Sequence, residues 1–108
     1  MIYVIGDTKD EMGASLMFRK FGGKGGEVPD VDVPRLMDVS GRLLEAMDKG
    51  LVRACHDCSD GGIAVAVAEM CISGDVGAEV DLVGIGDLPV NVKLFSESNS
   101  RWIAEVAG

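Results

Sequence analysis

Aromatic side chains are scarce in this 108-residue chain, which has three phenylalanines, one tyrosine and one tryptophan. Soft metal ligands are few as well: one histidine and three cysteines. An odd number of cysteines without an export signal argues against a disulfide framework. Basic residues number 10 against 18 acidic ones, giving a net charge of −8. That balance disfavours a nucleic-acid binder, which needs a concentrated basic face, and docking on an anionic membrane. Long apolar runs are also lacking. The longest nearly uncharged stretch, Gly61 to Gly74, is broken by Glu69 and is too short to span a bilayer. Met1-Ile2-Tyr3-Val4-Ile5 has no basic segment before it and runs straight into Gly6-Asp7, so it reads as a strand and not as a signal peptide. A cytoplasmic protein is the expectation.

The remaining composition, 47% apolar and 26% charged, is that of a folded protein, and the length allows one domain or less. Ile2 to Ile5 is a short apolar run closed by Gly6. Glu11 to Phe21 reads as a helix, with Met12, Leu16 and Phe21 as core contacts. The glycine-rich stretch Phe21 to Pro29 is a loop, open to two readings: a flexible connection or a phosphate cradle. Asp32 and Pro34 suit a helix start, and Leu36, Val39, Leu43, Leu44 and Met47 recur at helical spacing up to Gly50. Leu51 to Cys55 reads as a strand and Ile63 to Ile72 as a helix apolar nearly all round, so buried on several sides or covered by another domain. Ala78 to Leu82 reads as a strand, Val83 to Val92 as a loop and Trp102 to Val106 as a strand. The pattern predicts an α/β (α+β) fold: a mixed sheet with helices packed on it.

Three clusters bear on chemistry. His56, Asp57, Ser59 and Asp60 lie between a strand end and a helix beginning at Gly61-Gly62. Free N–H groups of a first helical turn can hold an anion there, or Ser59 or Asp60 can simply cap the helix. Cys55-His56-Asp57-Cys58 has the form of a C-x-x-C, but Cys71 sits in the last turn of the next helix, remote from it. The expectation is therefore no metal, with three reduced, largely buried thiols as apolar filler. Phe95 to Arg101 is polar between apolar segments, so it is a solvated turn, a phosphate contact, or a Glu97–Arg101 lock.

The segment from His56 to Met70, His-Asp-Cys-Ser-Asp-Gly-Gly-Ile-Ala-Val-Ala-Val-Ala-Glu-Met, together with Leu-Phe-Ser-Glu-Ser-Asn-Ser-Arg at 94–101 and Gly-Asp-Thr-Lys-Asp-Glu-Met-Gly-Ala-Ser at 6–15, resembles the large, synthetase subunit of phosphoribosylformylglycinamidine synthase. The resemblance covers essentially the whole chain. The Gly-Gly helix alone would indicate only the wider aminoimidazole-ribonucleotide (AIR) synthetase-like superfamily. Ala14 departs from a usual glycine and Leu16 from a common polar residue. Cys55 and Cys58 stand where small or apolar residues are usual, which favours filler over metal.

The resemblance implies a fold like the AIR-synthetase C-terminal domain, with residues 1–108 forming part of one such domain that is incomplete at its C-terminus. It implies a ligase of purine biosynthesis that uses ATP and magnesium to turn formylglycinamide ribonucleotide and glutamine-derived ammonia into the amidine. The ATP-binding domains would lie outside this chain, so the chain alone is expected to be inactive. The implied partners are the remaining domains of the large subunit, a glutaminase subunit and a small bridging subunit. A homodimer is the expectation for the isolated segment. Carried over residue by residue, Gly13, Ser15, His56, Asp57, Ser59, Asp60, Gly61, Gly62, Ser96, Glu97, Ser98 and Arg101 would face a phosphoryl-bearing cleft, with catalytic roles unassigned. The alternative is a non-catalytic structural or interaction domain of the same enzyme or of another superfamily member.

Overall fold

Three short strands and four helices make up the fold, and the computed structural model describes residues 1–108. In chain order they are β1 (Ile2–Ile5), α1 (Leu16–Phe21), α2 (Val33–Asp48), β2 (Val52–Asp57), α3 (Gly62–Gly74), α4 (Val90–Phe95) and β3 (Trp102–Val106), with a 3-10 turn at Val83–Ile85 before α4. β3 is the middle strand, in the order β1-β3-β2, and it runs antiparallel to both neighbours. The sheet is thus antiparallel throughout and not mixed. In register, Val4 and His56 flank Ile103, while Ile5 and Asp57 flank Trp102. Side chains alternate across a sheet, so Val4, Ile103 and His56 share one face.

That face carries the core. Ile63 and Ala66 of α3 pack with Ile103 and Cys58, and Ile2, Val4, Val67, Met70 and Ile85 close around them. Only the first half of α3 is buried, at Gly62, Ile63 and Ala66, and Ile72 is 79% exposed. The chain therefore covers one side of this helix and leaves its apolar far end open. α2 begins as its sequence implies. Asp32 Oδ1 accepts from Arg35 N–H at 2.9 Å, and the proline falls in the first turn. Its inner face buries Leu43, while Met37 and Leu44 stay exposed. No helix is long and apolar enough to cross a membrane.

Several expected boundaries move, each for a local reason. Ala78 to Leu82 forms no strand. Asp81 Oδ1 accepts from Val83 N–H at 2.8 Å and turns the chain into the 3-10 segment. Val90 to Val92 belongs to α4, because Pro89 holds φ at −54° immediately before it and α-helical geometry follows. α1 starts only at Leu16. Gly13 N–H is bonded to Glu27 O at 2.8 Å, and Ser15 caps the helix by accepting from Phe18 N–H at 3.2 Å.

A cleft beside the α3 N-terminus

Glu97 organises this region. Its Oε1 accepts from Leu16 N–H at 2.8 Å and from Gly61 N–H at 2.9 Å, so one carboxylate caps the starts of α1 and α3 together. Both helix dipoles point their positive ends at it. Gly61 (φ +84°) occupies the N-cap position of α3 without a side chain of its own to cap it. Gly62 follows at φ +64°, and a Cβ there would stand 2.5 Å from Ser96 O and 2.7 Å from Leu94 O. Glycine is required at Gly62 both for its backbone conformation and for close approach to the 94–96 backbone.

Behind Glu97 lies a buried knot. Arg101, 1% exposed, donates from Nε to Ser98 O at 2.8 Å, from one terminal nitrogen to Ser96 O at 2.6 Å, and from the other to Thr8 Oγ1 at 2.9 Å. Ser96 Oγ donates to Lys9 O at 2.6 Å and accepts from Glu11 N–H at 3.3 Å, while Ser98 Oγ accepts from Lys9 N–H at 3.0 Å. Burial lowers the pKa of Arg101 from its ordinary value, opposed by the neighbouring Cys58, Glu11 and Glu97. Burial also pushes the Cys58 thiol up to about 11. The 8–11 and 96–101 segments are thereby stitched together beneath the cleft.

The open side is a cleft of about 390 Å³ lined by Gly13, Ala14, Val28, Pro29, Cys58, Ser59, Asp60, Glu97 and Asn99. Of the residues expected to face a common cleft, it brings together Gly13, Ser59, Asp60 and Glu97, while Gly61 and Gly62 are buried behind it. Ser15, Ser96, Ser98 and Arg101 are buried to 1% exposure or less and do not face it. Their polar atoms are taken inside the fold, mostly by backbone partners and in part by Thr8 Oγ1, so the hydroxyls and the arginine of this polar run are not free for a ligand. The Glu97–Arg101 lock also gives way to these separate roles.

His56 and Asp57 sit to one side, at the end of β2. His56 Nε2 lies 2.6 Å from Glu69 Oε2 on α3, and Nδ1 lies 3.2 Å from Asp57 Oδ1. Ser59 Oγ donates to the other oxygen of Asp57. The Ser59 hydroxyl first, and His56 after it, hold the Asp57 carboxyl below its ordinary value, against slight burial. Asp60 is exposed and pairs with Arg19 at 3.5 Å. Sequence reasoning missed Asn99 in the cleft and Glu69 beside His56. Glu69 was visible as the only charge on an apolar helix, and that was the usable signal.

At the start of α3 Glu97 already takes the Gly61 N–H, and Asp60 adds further negative charge at the rim. No group of three or more His, Cys, Asp or Glu side chains is arranged to hold a metal ion. Cys58 is buried, but Cys55 and Cys71 are only half-buried, so the expected burial holds for one thiol of the three. Burial, then the Asp57 charge, raises the Cys55 pKa.

Comparison with known proteins adds a second line. The family model for the AIR synthase related protein, C-terminal domain, matches residues 1–107. The phosphoribosylformylglycinamidine synthase subunit PurL of Thermococcus sibiricus is 43% identical over 107 residues, covering 95% of this chain and 15% of that protein. The PurL subunit of Methanothrix thermoacetophila is 38% identical, covering 98% of this chain and 14% of that protein. The PurL subunit of Moorella thermoacetica is 41% identical, covering 99% and 14% respectively. The chain thus spans about 15% of the length of the curated relatives it matches.

Proposed function

Because the chain belongs to the AIR synthase related protein, C-terminal domain family, we propose that it serves as one segment of a phosphoribosylformylglycinamidine synthase large subunit. The observation that carries this reading is identity of 38% to 43% to PurL subunits running through nearly the entire chain. In it, the segment contributes to an ATP-dependent ligase that forms an amidine from formylglycinamide ribonucleotide and ammonia. ATP and magnesium act in the larger protein, and their phosphates and metal are held by residues outside the α3 turn. The chain's own cleft offers oxygen acceptors at Ser59, Asp60 and Glu97, and the buried Arg101 knot keeps their backbone in place. The rest of the large subunit, a glutaminase subunit and a small bridging subunit are the partners of this reading, and the cytoplasm is its location.

A second reading is favoured by a specific observation. Four of the expected cleft residues are buried supports, and the α3 terminus is closed by the protein's own carboxylate. A segment built so can serve the enzyme as a wall and an interface without touching the reacting atoms.

The test is a segment exchange. Residues 1–107 of this chain replace the matching stretch of a thermophilic PurL, and amidine formation is assayed with ATP and ammonia. The proposal expects rates within about tenfold of the parent, while the 108-residue chain alone gives no product. A soluble, folded chimera with no activity overturns membership in that enzyme. Activity that survives Ser59→Ala, Asp60→Ala and Asn99→Ala together selects the interface reading.

A further inference from the structure

Glu69 touches nothing in the cleft, yet it is joined to it. Its Oε2 lies 2.6 Å from His56 Nε2, His56 Nδ1 lies 3.2 Å from Asp57 Oδ1, and Asp57 Oδ2 accepts the Ser59 proton. Three of the four side chains are acids or a hydroxyl. An ionised carboxylate can only accept, so the direction of the last bond is settled: Ser59 donates to Asp57. The hydroxyl proton is thereby turned away, and the oxygen lone pairs of Ser59 remain for the cleft that Ser59 lines with Asp60, Glu97 and Asn99.

We infer that Glu69 is a positioning residue, which through His56 and Asp57 fixes the Ser59 hydroxyl as a hydrogen-bond acceptor in the cleft. The chemical consequence is selectivity. Ser59 lone pairs and the Asp60 and Glu97 carboxylates accept from N–H or O–H donors of a ligand or neighbouring segment, and Ser59 itself offers no proton to a phosphate oxygen. The arrangement also accounts for the charge on α3, a helix otherwise without charged residues. Glu69 pins the imidazole at the strand edge, where β2 has no further strand beside it. A neutral ring carries a single N–H, so the tautomer sets which of the two carboxylates accepts it.

This rests on the proposed enzyme function for its kinetic arm only. In the 108-residue chain His56 is the sole histidine, so its two ring nitrogens are read without overlap by nitrogen-15 NMR. Glu69→Gln should move the Nε2 resonance, and Asp57→Asn should move Nδ1. Unchanged nitrogen shifts in both variants overturn the relay, whatever the enzyme does. In the longer PurL chimera, Ser59→Ala is expected to lower kcat/KM about tenfold and Glu69→Ala about fivefold, with the double variant no worse than Ser59→Ala alone. Glu69→Gln, which keeps an acceptor for His56, should recover at least about half of the activity. Additive losses, a silent Glu69→Ala, or a Gln variant as poor as Ala each overturn the positioning role. An inactive parent chimera that still shows the nitrogen shifts rejects the enzyme reading and leaves the relay standing.

Discussion

Arg101 holds Ser96 from inside the fold: a guanidinium nitrogen donates to the Ser96 carbonyl at 2.6 Å, with the arginine 1% exposed. That contact turns the 96–99 backbone so that Glu97 points at two helix starts. The polar run 96–101 is thus a support with alternate members buried, and only Glu97 and Asn99 reach the cleft.

Replacing Arg101 by methionine leaves the Ser96 and Ser98 carbonyls and the Thr8 hydroxyl without their partner. Each buried polar group left unpaired costs about 1–3 kcal/mol, so unfolding in urea should show a loss of roughly 3 kcal/mol or outright unfolding. Arg101→Lys should rescue little, because an ammonium cannot make the same forked set of bonds. Wild-type stability in either variant would show that the knot is incidental.

Gly62→Ala should lower stability by more than about 2 kcal/mol. A left-handed backbone costs an alanine about 1 kcal/mol, and its methyl meets the Ser96 carbonyl oxygen at 2.5 Å. Gly41→Ala is the control. A Cβ there meets nothing within 4 Å and the residue lies inside α2, so a gain of about 0.5–1 kcal/mol is expected. Thermal melts of the two variants should move in opposite directions.

Glu97→Gln keeps an acceptor for Leu16 and Gly61 but removes the charge facing two dipoles. A loss of about 0.5–2 kcal/mol is expected, and Glu97→Ala should cost more. Equal melting temperatures for the Gln and Ala variants would mean that the two N–H groups find water as readily as the carboxylate.

Cys58 gives a test at alkaline pH. Its folded pKa of about 11 lies above the ordinary 9.0, so the folded state holds the proton more tightly than the unfolded chain. The resulting stability is fully present below about pH 9 and is lost as pH rises through about 11. Cys58→Ala should flatten that decline in denaturation curves taken between these limits. At pH 8 the folded thiol should alkylate on the order of a hundredfold more slowly than the unfolded one.

Periodicity and end signals were enough for the regular parts. Asp32 and Pro34 announced α2, the Gly61-Gly62 pair announced α3, and the mostly apolar run Trp102 to Val106 announced β3. Ala78 to Leu82 reads as a strand from its local residues alone, whereas a strand also needs a neighbour to bond with, and the end of the expected loop, Val90 to Val92, is helical. The Asp81 side chain and Pro89 decided the matter locally. At the site, sequence placed the right stretches together but could not separate facing from backing residues. Ser96 and Ser98 alternate with Glu97 and Asn99, and which set turns inward depends on a guanidinium brought in from the far end of the turn. Glu69 escaped because its partner is 13 residues away across a strand–helix packing contact.

The strand order has a consequence for synthesis. β1 and β2 are not bonded to each other; each pairs only with β3, which the ribosome makes after both. Until Trp102 to Val106 emerge, the two earlier strands present open backbone edges, and α3 lacks the Ile103 side chain it packs on. Closure of the sheet must wait for a pairing across most of the chain, a slow step by loop-closure entropy. Translational pausing shortly before the codon for Trp102 should therefore prolong a species with unpaired edges, the form most prone to aggregate on the way to the native fold.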